Sequence, residues 1–572
     1  MSTIYTLEEV SRHNTRDDLW TAIDGDVYNL TDFIEIHPGS APPLLETDVA
    51  GKDATSIFYG LHRSEVLQKP RYARFKIGTL KGALAKKQAI QLKINTLPSP
   101  PVVPYGESMG YWRKKSPYYN QSHHDFRAAV RKFIDLEIRP DAIEDDEEGN
   151  YPELELNMKM GQAGFIACLV AQIPESWPII KSLNIKLPAN VELEKYDFFH
   201  SMIFSEEIRR LGTYGLGDGL IGGNSIGLPI IIKFGSPELV NRIVPDVLLG
   251  KKRCALAISE PYAGSDVAQI KTSGVLSKDG THYTVTGVKK WITGGMFADY
   301  FSTLVRTEKG MTMMVVDRTL GGDHFRTKQI YTSYSKAAGT SYVTYDDVSV
   351  PRENVIGLEG NGFYYTMANF NTERWGMVCS GNRLSRLMVE ECFRWAMARK
   401  VFSKRLIDQP VIRFKLANMA AEVEAGMFSL LLFCSNKILE STLVNIPLLV
   451  LTLVFFFYFL IVFSVHSLLE DLTYQMCNMT AKEMSDTLAG PIALLKYKQT
   501  RVAQLIADNA CQILGGRALT RSGMGVLIEK FQRSQKMQAI LGGSEEIMAD
   551  FAIRQAIKSV GKGDLAIEFS RM

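Results

Sequence analysis

The chain has little cysteine, little net charge and, over one long stretch, no charged side chain at all. Seven cysteines, at 168, 254, 379, 392, 434, 477 and 511, are scattered over 572 residues and never form C-x-x-C. An odd number at that density excludes a disulfide framework or a cysteine zinc site and fits a reducing compartment. Lys and Arg (65) barely exceed Asp and Glu (62), so binding of nucleic acid by bulk charge is excluded. Met1–Val10 lacks both the apolar core of a secretory signal and an Arg-rich amphipathic presequence. The final Ser570-Arg571-Met572 is not a peroxisomal address. The expected location is therefore cytoplasmic, or mitochondrial without a recognisable presequence. No internal repeat is present. At 46% apolar and 22% charged the chain is not disordered, and its length predicts three or four domains.

The charge-free stretch lies between Glu440 and Glu470, and within it Ile446–Val465 is almost wholly apolar. That length suffices to span a bilayer and allows membrane association. Its position opposes an anchor. It interrupts a helical pattern that runs through Ala417–Ala425 and resumes after Ser464 with the same 3–4 apolar spacing. One crossing there would put two halves of a helical bundle on opposite sides. Joining Ala425 to Val465 restores one long helix. Gly426-Met427 can be encoded by GGTATG, and 455–464 by a T-rich tract ending in CAG. Residues 426–464 thus read as a retained intron or gene-model error, with a membrane hairpin or anchor and a buried helical insert as alternatives.

The rest divides by pattern. Residues 1–83 form one small unit. Thr6-Leu-Glu-Glu9 is a capping box, and Asp24-Gly25 is a hairpin turn between two β-rich runs. Residues 84–120, with Pro98, Pro100, Pro101 and Pro104, read as a semi-stiff linker. Residues 121–250 are mainly helical, with Phe126, Val130, Phe133 and Ile134 at 3–4 spacing. Residues 251–355 alternate strand and turn, and 356–572 return to long helices. The expected fold is multidomain α+β: a small α+β unit, an all-α bundle, a β-barrel-like middle domain and a C-terminal four-helix bundle.

Two histidines stand out in the first unit. His37 precedes Pro38-Gly39, and His62 follows Tyr59-Gly60-Leu61. Two imidazoles facing each other can clamp a haem and leave no open iron position, which suits electron transfer. The ordered run Thr6-Leu-Glu-Glu-Val, Asp18-Leu-Trp, Val27-Tyr, Phe33, His37-Pro-Gly, Gly51-Lys-Asp-Ala-Thr55 and Phe75-Lys-Ile-Gly78 resembles the cytochrome b5 haem domain. The resemblance implies haem b, with His37 and His62 as axial ligands. Ser40 stands where that family carries a second glycine.

A second constellation lies downstream. Ala257-Ile-Ser-Glu-Pro-Tyr-Ala-Gly-Ser-Asp266 is a small-residue turn suited to close backbone approach. Lys290-Trp-Ile-Thr-Gly294 sets an aromatic plane beside a hydroxyl. With Arg399-Lys-Val-Phe402, Gln512-Ile-Leu-Gly-Gly516 and Gly542-Gly-Ser-Glu-Glu-Ile547, this pair resembles the acyl-CoA dehydrogenase family from about Ser122 to Ala556. The resemblance implies FAD and an acyl-CoA substrate. By position, Leu256, Ile258, Ser259, Gly264, Ser265, Trp291, Ile292 and Thr293 would line the flavin ring. Arg399, Phe402, Gln512, Gly515 and Gly516 would meet its diphosphate and adenosine, partly across a subunit interface in a dimer or tetramer. Ser544 would also touch the cofactor, and Ser265, Arg374 and Gly542 the substrate. The family's glutamine downstream of the Arg is displaced here, since Gln409 precedes Pro410.

Abstracting the α-proton of a thioester needs a carboxylate in a dry pocket. The glutamate that most family members carry near the C-terminus is missing, because that motif reads Leu541-Gly-Gly-Ser544. Asn371-Thr-Glu-Arg374 offers Glu373, at the position the long-chain and isovaleryl types use for their base. Glu545 and Glu546 are the neighbouring alternatives. Gly542 keeps its backbone N–H for a thioester oxygen. The sequence thus predicts FAD-dependent α,β-dehydrogenation of an acyl-CoA. Electrons would leave to the chain's own haem, to electron-transfer flavoprotein or to another redox protein. An oxygen-using oxidase and a haem carrier with an inactive flavin fold are the rival readings.

Overall fold

The capping box and hairpin turn form as the residue types dictate. Thr6 accepts from the Glu9 N–H, and the Glu9 carboxylate accepts from the Thr6 N–H at 2.7 Å, starting helix α1 (Leu7–Ser11). Asp24 and Gly25 both take left-handed φ, joining β3 (Asp18–Ile23) to β4 (Asp26–Asn29) in the primed turn that matches strand twist. With β1 (Thr3–Tyr5), β2 (Asn14–Thr15) and β5 (Lys76–Leu80) they make a five-stranded sheet ordered β1-β5-β4-β3-β2. Helix α2 (Thr55–Leu61) and the short α3 (Glu65–Gln68) and α4 (Pro70–Ala73) complete the unit. The structure, a computed structural model, describes residues 3–63, 65–83, 103–108, 116–424 and 465–560, so the apolar run 446–465 lies outside the described residues except for its last position.

Part of the expected linker is built into the body. Residues 103–108 are packed down: Val103 and Ser108 are buried, and Glu107 accepts from Arg131 at 2.6 Å and from Arg127 at 3.2 Å. A solvated spacer cannot hold such a carboxylate, and its two guanidinium partners keep its pKa down to about 2.

Helices α5 (Gln121–Phe133), α6 (Arg139–Glu148), α7 (Leu154–Gln162), α8 (Trp177–Ser182), α9 (Phe198–Arg209), α10 (Tyr214–Gly217), α11 (Gly223–Phe234) and α12 (Pro237–Leu248) form the first bundle. Phe126, Val130 and Ile134 are fully buried at their 3–4 spacing. Arg127 and Arg131 tie α5 to Glu206 and Glu207 of α9 at 2.6 Å each. The run Tyr214–Phe234 is long and apolar enough to cross a membrane, and 78% of its most apolar window is buried inside the protein.

The middle domain is a sheet ordered β10-β9-β7-β8-β12-β11, with β6 paired to β9. Its strands are β6 (Cys254–Ala257), β7 (Ser273–Leu276), β8 (His282–Ile292), β9 (Tyr300–Thr307), β10 (Gly310–Asp317), β11 (Phe325–Gln329) and β12 (Ser341–Pro351). Two register shifts in the β8–β12 pair let the long strands curl.

The C-terminal domain is built on α13 (Gly362–Ala398), which runs for 37 residues. Against it lie α14 (Pro410–Glu424), α15 (Val465–Cys477), α16 (Ala489–Leu514), α17 (Val526–Ser534) and α18 (Glu545–Val560). Leu416, Met419 and Val423 of α14 share one core with Leu469 and Leu472 of α15, so the two segments flanking 425–464 both belong to the bundle.

Candidate functional site

In the small unit, His37 and His62 face each other with ring centroids 6.0 Å apart. Two imidazoles on opposite sides of one iron need roughly that spacing, given metal–nitrogen bonds of about 2 Å. His37 Nδ1 lies 2.8 Å from the Ser40 carbonyl oxygen, which only accepts, so Nδ1 carries the proton and Nε2 is left for a metal. A Cβ at Gly39 would come within 2.8 Å of His37 Cε1, which explains this glycine. Ser40, in place of a second glycine, adopts left-handed φ and keeps its carbonyl on His37. His62 stacks on Phe58 at 4.8 Å, and its Nδ1 is buried with no hydrogen-bond partner among the described residues. Burial, with His37 nearby, lowers its pKa and favours the neutral ligand form. Phe33, Leu44, Leu45 and Phe75 supply an apolar wall. This pocket fits a haem.

In the body, a cavity of about 1450 Å³ lies between α9, α11, α13 and the turn after α15. Glu373 and Leu541 line it, and so does Thr293 from the end of β8. Glu373 Oε2 is shielded from solvent and has no hydrogen-bond partner among the described residues. Burial raises its pKa to about 7, against the opposing pull of Arg374 and Lys496. A carboxylate in this state, on a residue that lines the cavity, is a competent base near neutrality. Arg374, the next residue, turns instead to the 541–544 loop, where its Nε donates to the Gly542 carbonyl at 3.1 Å.

A glutamate at Gly542 would be strained and would require the Met377 side chain to move. The Gly542 φ is +64°, and a Cβ would fall 2.6 Å from Met377 Sδ. Glu545 is buried and occupied by Thr500 Oγ1 (2.9 Å), Lys536 Nζ (2.8 Å) and Arg501. Glu546 is exposed, and neither residue lines the cavity. Ser544 Oγ accepts from the Ile547 N–H, capping α18.

The turn after β6 is fixed from beneath. Glu260 accepts from the Lys271 and Thr272 N–H groups and from buried Lys289 Nζ at 2.9 Å, while Lys289 also donates to the Ile258 and Leu304 carbonyls. Gly264 and Ser265 are thereby held exposed, and space where a Gly264 Cβ would sit is open. Gly515 and Gly516 are equally open, beside exposed Gln512. A flat cofactor or its phosphates could approach the backbone at these glycines without meeting a side chain. Leu256 and Ile258 are buried and Ser259 half-buried along the edge of the turn. Ile292 is packed into the core of the sheet, whereas Trp291 is 52% exposed with the Lys290 ammonium 4.4 Å from its ring centre. Arg399 is exposed past the end of α13, and Phe402 is 92% exposed with left-handed φ.

Three contributors escaped the sequence reading: Lys289, Met377 and Lys496. Lys496 left one signal, a cation at an apolar-periodic position beside Ile492, Leu495 and Ala503 of α16.

Comparison with known proteins adds family context. Residues 6–81 match the cytochrome b5-like heme/steroid binding domain, 255–348 the acyl-CoA dehydrogenase middle domain, and 360–438 with 466–557 the acyl-CoA dehydrogenase C-terminal domain. The break in the last match overlaps the apolar run. The acyl-CoA dehydrogenase apdG of Emericella nidulans is 34% identical over 461 residues, covering 80% of this chain and 95% of that protein. Acyl-CoA dehydrogenase AFT10-1 of Alternaria alternata is 29% identical, covering 80% and 97%. Among solved structures, an acyl-CoA dehydrogenase from Geobacillus kaustophilus superposes with TM-score 0.60 at 25% identity, covering 77% of this chain and all of that one. One from Bacillus anthracis, solved with FAD, shares the fold with TM-score 0.62 at 22% identity, covering 78% and 68%. FAD and haem are the cofactors these family matches carry. The chain belongs to the acyl-CoA dehydrogenase family, as an enzyme of that family joined to an N-terminal cytochrome b5-like domain.

Proposed function

We propose that this protein removes hydrogen across the α,β bond of an acyl-CoA thioester, with Glu373 as the base, and passes the electrons to its own haem. The observation that carries the reading is Glu373, which lines the cavity and whose shielded Oε2 has no hydrogen-bond partner among the described residues. Glu373 takes the α-proton on its carboxylate. The Gly542 backbone N–H meets the thioester oxygen, and Arg374 holds that loop in place. Thr293, Gly264 and Ser265 would hold the flavin ring, while Arg399, Phe402, Gln512, Gly515 and Gly516 would hold its dinucleotide. Bound FAD supplies the acceptor for the β-hydride. His37 and His62 would hold the haem, whose tether to the body raises its effective concentration as electron acceptor.

Exposed apolar side chains at Phe402, Val411, Phe414 and Leu519 support a homo-oligomer that covers them. The described cysteines are free, which supports a reducing location, cytoplasm or mitochondrion. The family match stops at 438 and resumes at 466, which supports reading the later part of 426–464 as sequence foreign to the working enzyme, while 426–438 still match the family; a transcript that retains codons 426–464 in its spliced form overturns that.

A panel of short to long acyl-CoA thioesters, followed by flavin bleaching, tests the activity. Bleaching with at least one member is expected, followed by haem reduction. No bleaching across the panel overturns the reaction. Bleaching with peroxide release points to an oxidase, and bleaching without haem reduction removes the internal relay.

A further inference from the structure

Helix α13 gives one stripe to the cavity: Glu373, Met377 and Ser380, spaced i, i+4 and i+7, all line it. Ser380 therefore stands two turns from the proposed base, about 10 Å along the helix axis. Ser205 of α9 also lines the cavity, and its Oγ lies 3.1 Å from Ser380 Oγ. Among the described residues each of these hydroxyls has only the other as hydrogen-bond partner. A hydroxyl pair holds two O–H donors and uses one on its own bond, so the second donor is left over. Gln538 is a third polar group of this lining. It is buried, and its Oε1 has no hydrogen-bond partner among the described residues. It meets α13 at Gly381, the residue after Ser380: a Cβ there would fall 2.2 Å from Gln538 Oε1 and 2.1 Å from Gln499 Nε2, which is also unpartnered. Glycine at 381 thus admits two amides that do not bond each other. Tyr214, elsewhere in the lining, is buried with its Oη unpartnered among the described residues as well.

A saturated acyl chain that fills this end of the cavity displaces water from these groups and returns no hydrogen bond, so each bears its full desolvation penalty. A chain that carries oxygen there meets them. A hydroxyl donates and accepts, and a ketone accepts the serine proton left over. From an α-carbon beside Glu373, about 10 Å is the reach of roughly eight extended carbon–carbon bonds. We propose that the preferred substrate is an acyl-CoA whose chain carries a hydroxyl or keto oxygen at about the tenth carbon, received by the Ser205–Ser380 pair and Gln538, and not a plain fatty acyl-CoA. The inference rests on the reading that the thioester α-carbon lies at Glu373.

Decanoyl-CoA and 10-hydroxydecanoyl-CoA differ only in that oxygen, and they are the test. Their Kd values are measured by calorimetry on the full-length Glu373→Gln holoenzyme, and their kcat and KM by flavin bleaching in the wild type. The hydroxylated thioester is expected to bind about tenfold tighter, with the gain in KM and not in kcat. When Ser205→Ala and Ser380→Ala are added, the two Kd values should come within about twofold of each other, chiefly because decanoyl-CoA binds better. Equal Kd values with both serines present, or tighter binding of decanoyl-CoA, overturn the proposal. So does a tenfold preference that survives removal of both hydroxyls. If the serine double variant does not fold, the comparison with both serines present decides alone. The two readings fail separately. Sustained bleaching in Glu373→Gln removes the base assignment, whereas equal Kd values remove the substrate preference and leave the base in place.

Discussion

Arg63 of the cytochrome b5-like domain and Glu391 of α13 form an ion pair across the domain boundary, with side chains only 13% and 7% exposed. Arg63 follows His62 directly, so the pair seats the haem pocket itself on the flavoenzyme body. A second contact, Lys69 and Arg71 with Glu144 of α6, lies nearer solvent. Breaking a pair as buried as Arg63–Glu391 strands a charge, whereas exposed pairs contribute little. Glu391→Arg should therefore release the small domain, and Arg63→Glu combined with Glu391→Arg should partly restore docking. Thermal melts of the four-member cycle are expected to give a coupling of about 1–3 kcal/mol. A coupling of zero would mean that the pair does not seat the domain.

Glu373→Gln should lower the rate of flavin bleaching by about 10²–10⁴, the usual contribution of a positioned general base. In the wild type, kcat/KM should rise with pH through a limb near 7, because burial holds the carboxyl protonated below that value. Stopped-flow traces of the two proteins from pH 5 to 9 check both statements.

The same raised pKa has a stability cost of opposite sign to the usual carboxylate case. The folded protein holds the Glu373 proton up to about pH 7, while the unfolded chain releases it near 4. Stability from this residue is present below pH 4 and is lost as pH rises to 7, by roughly 3 kcal/mol in all. Glu373→Gln should gain on the wild type in melting temperature between pH 5 and pH 8, measured by calorimetry.

Moving the base back to the loop should fail. In Gly542→Glu the new Cβ meets Met377 Sδ and the backbone must keep a left-handed φ, each costing about 1–3 kcal/mol. The double variant Glu373→Gln with Gly542→Glu is expected to remain inactive and to melt lower than Glu373→Gln alone. Recovered bleaching would show that the loop can shift to admit the side chain.

His62→Ala should abolish the Soret band of a bis-histidine haem while leaving flavin bleaching by acyl-CoA within about twofold, since the two sites share no residue. Gly39→Ala should weaken haem retention through its clash with the His37 ring. Optical spectra of the purified proteins report both.

How much of this was legible in the sequence depended on how local each feature is. The Thr6–Glu9 capping box and the Asp24-Gly25 turn follow from adjacent residue types, and both form. The proposal of Glu373 as base starts from the missing glutamate at 542, which demands a replacement. That Met377 Sδ would lie 2.6 Å from a Cβ at 542 joins α13 to a loop over 160 residues away, and no pattern in either segment encodes it. Lys289 beneath the Glu260 turn and Lys496 against the Gly543 carbonyl are single lysines on apolar faces; only tertiary packing shows what they hold. Residues 103–108 read as spacer because prolines surround them, yet Glu107 is drawn in by two arginines contributed from α5.

Helix α13 carries Glu373 near one end and Glu391, the seat of the haem domain, 18 positions further on. At 1.5 Å per residue this places the two about 27 Å apart along one unbroken rod. On the reading proposed above, the helix is a ruler between the base and the berth of the second redox unit. The docking pair Arg63–Glu391 then fixes how far the haem pocket stands from the cavity, and haem reduction that survives loss of that pair would identify traffic through a released domain or through a neighbouring subunit.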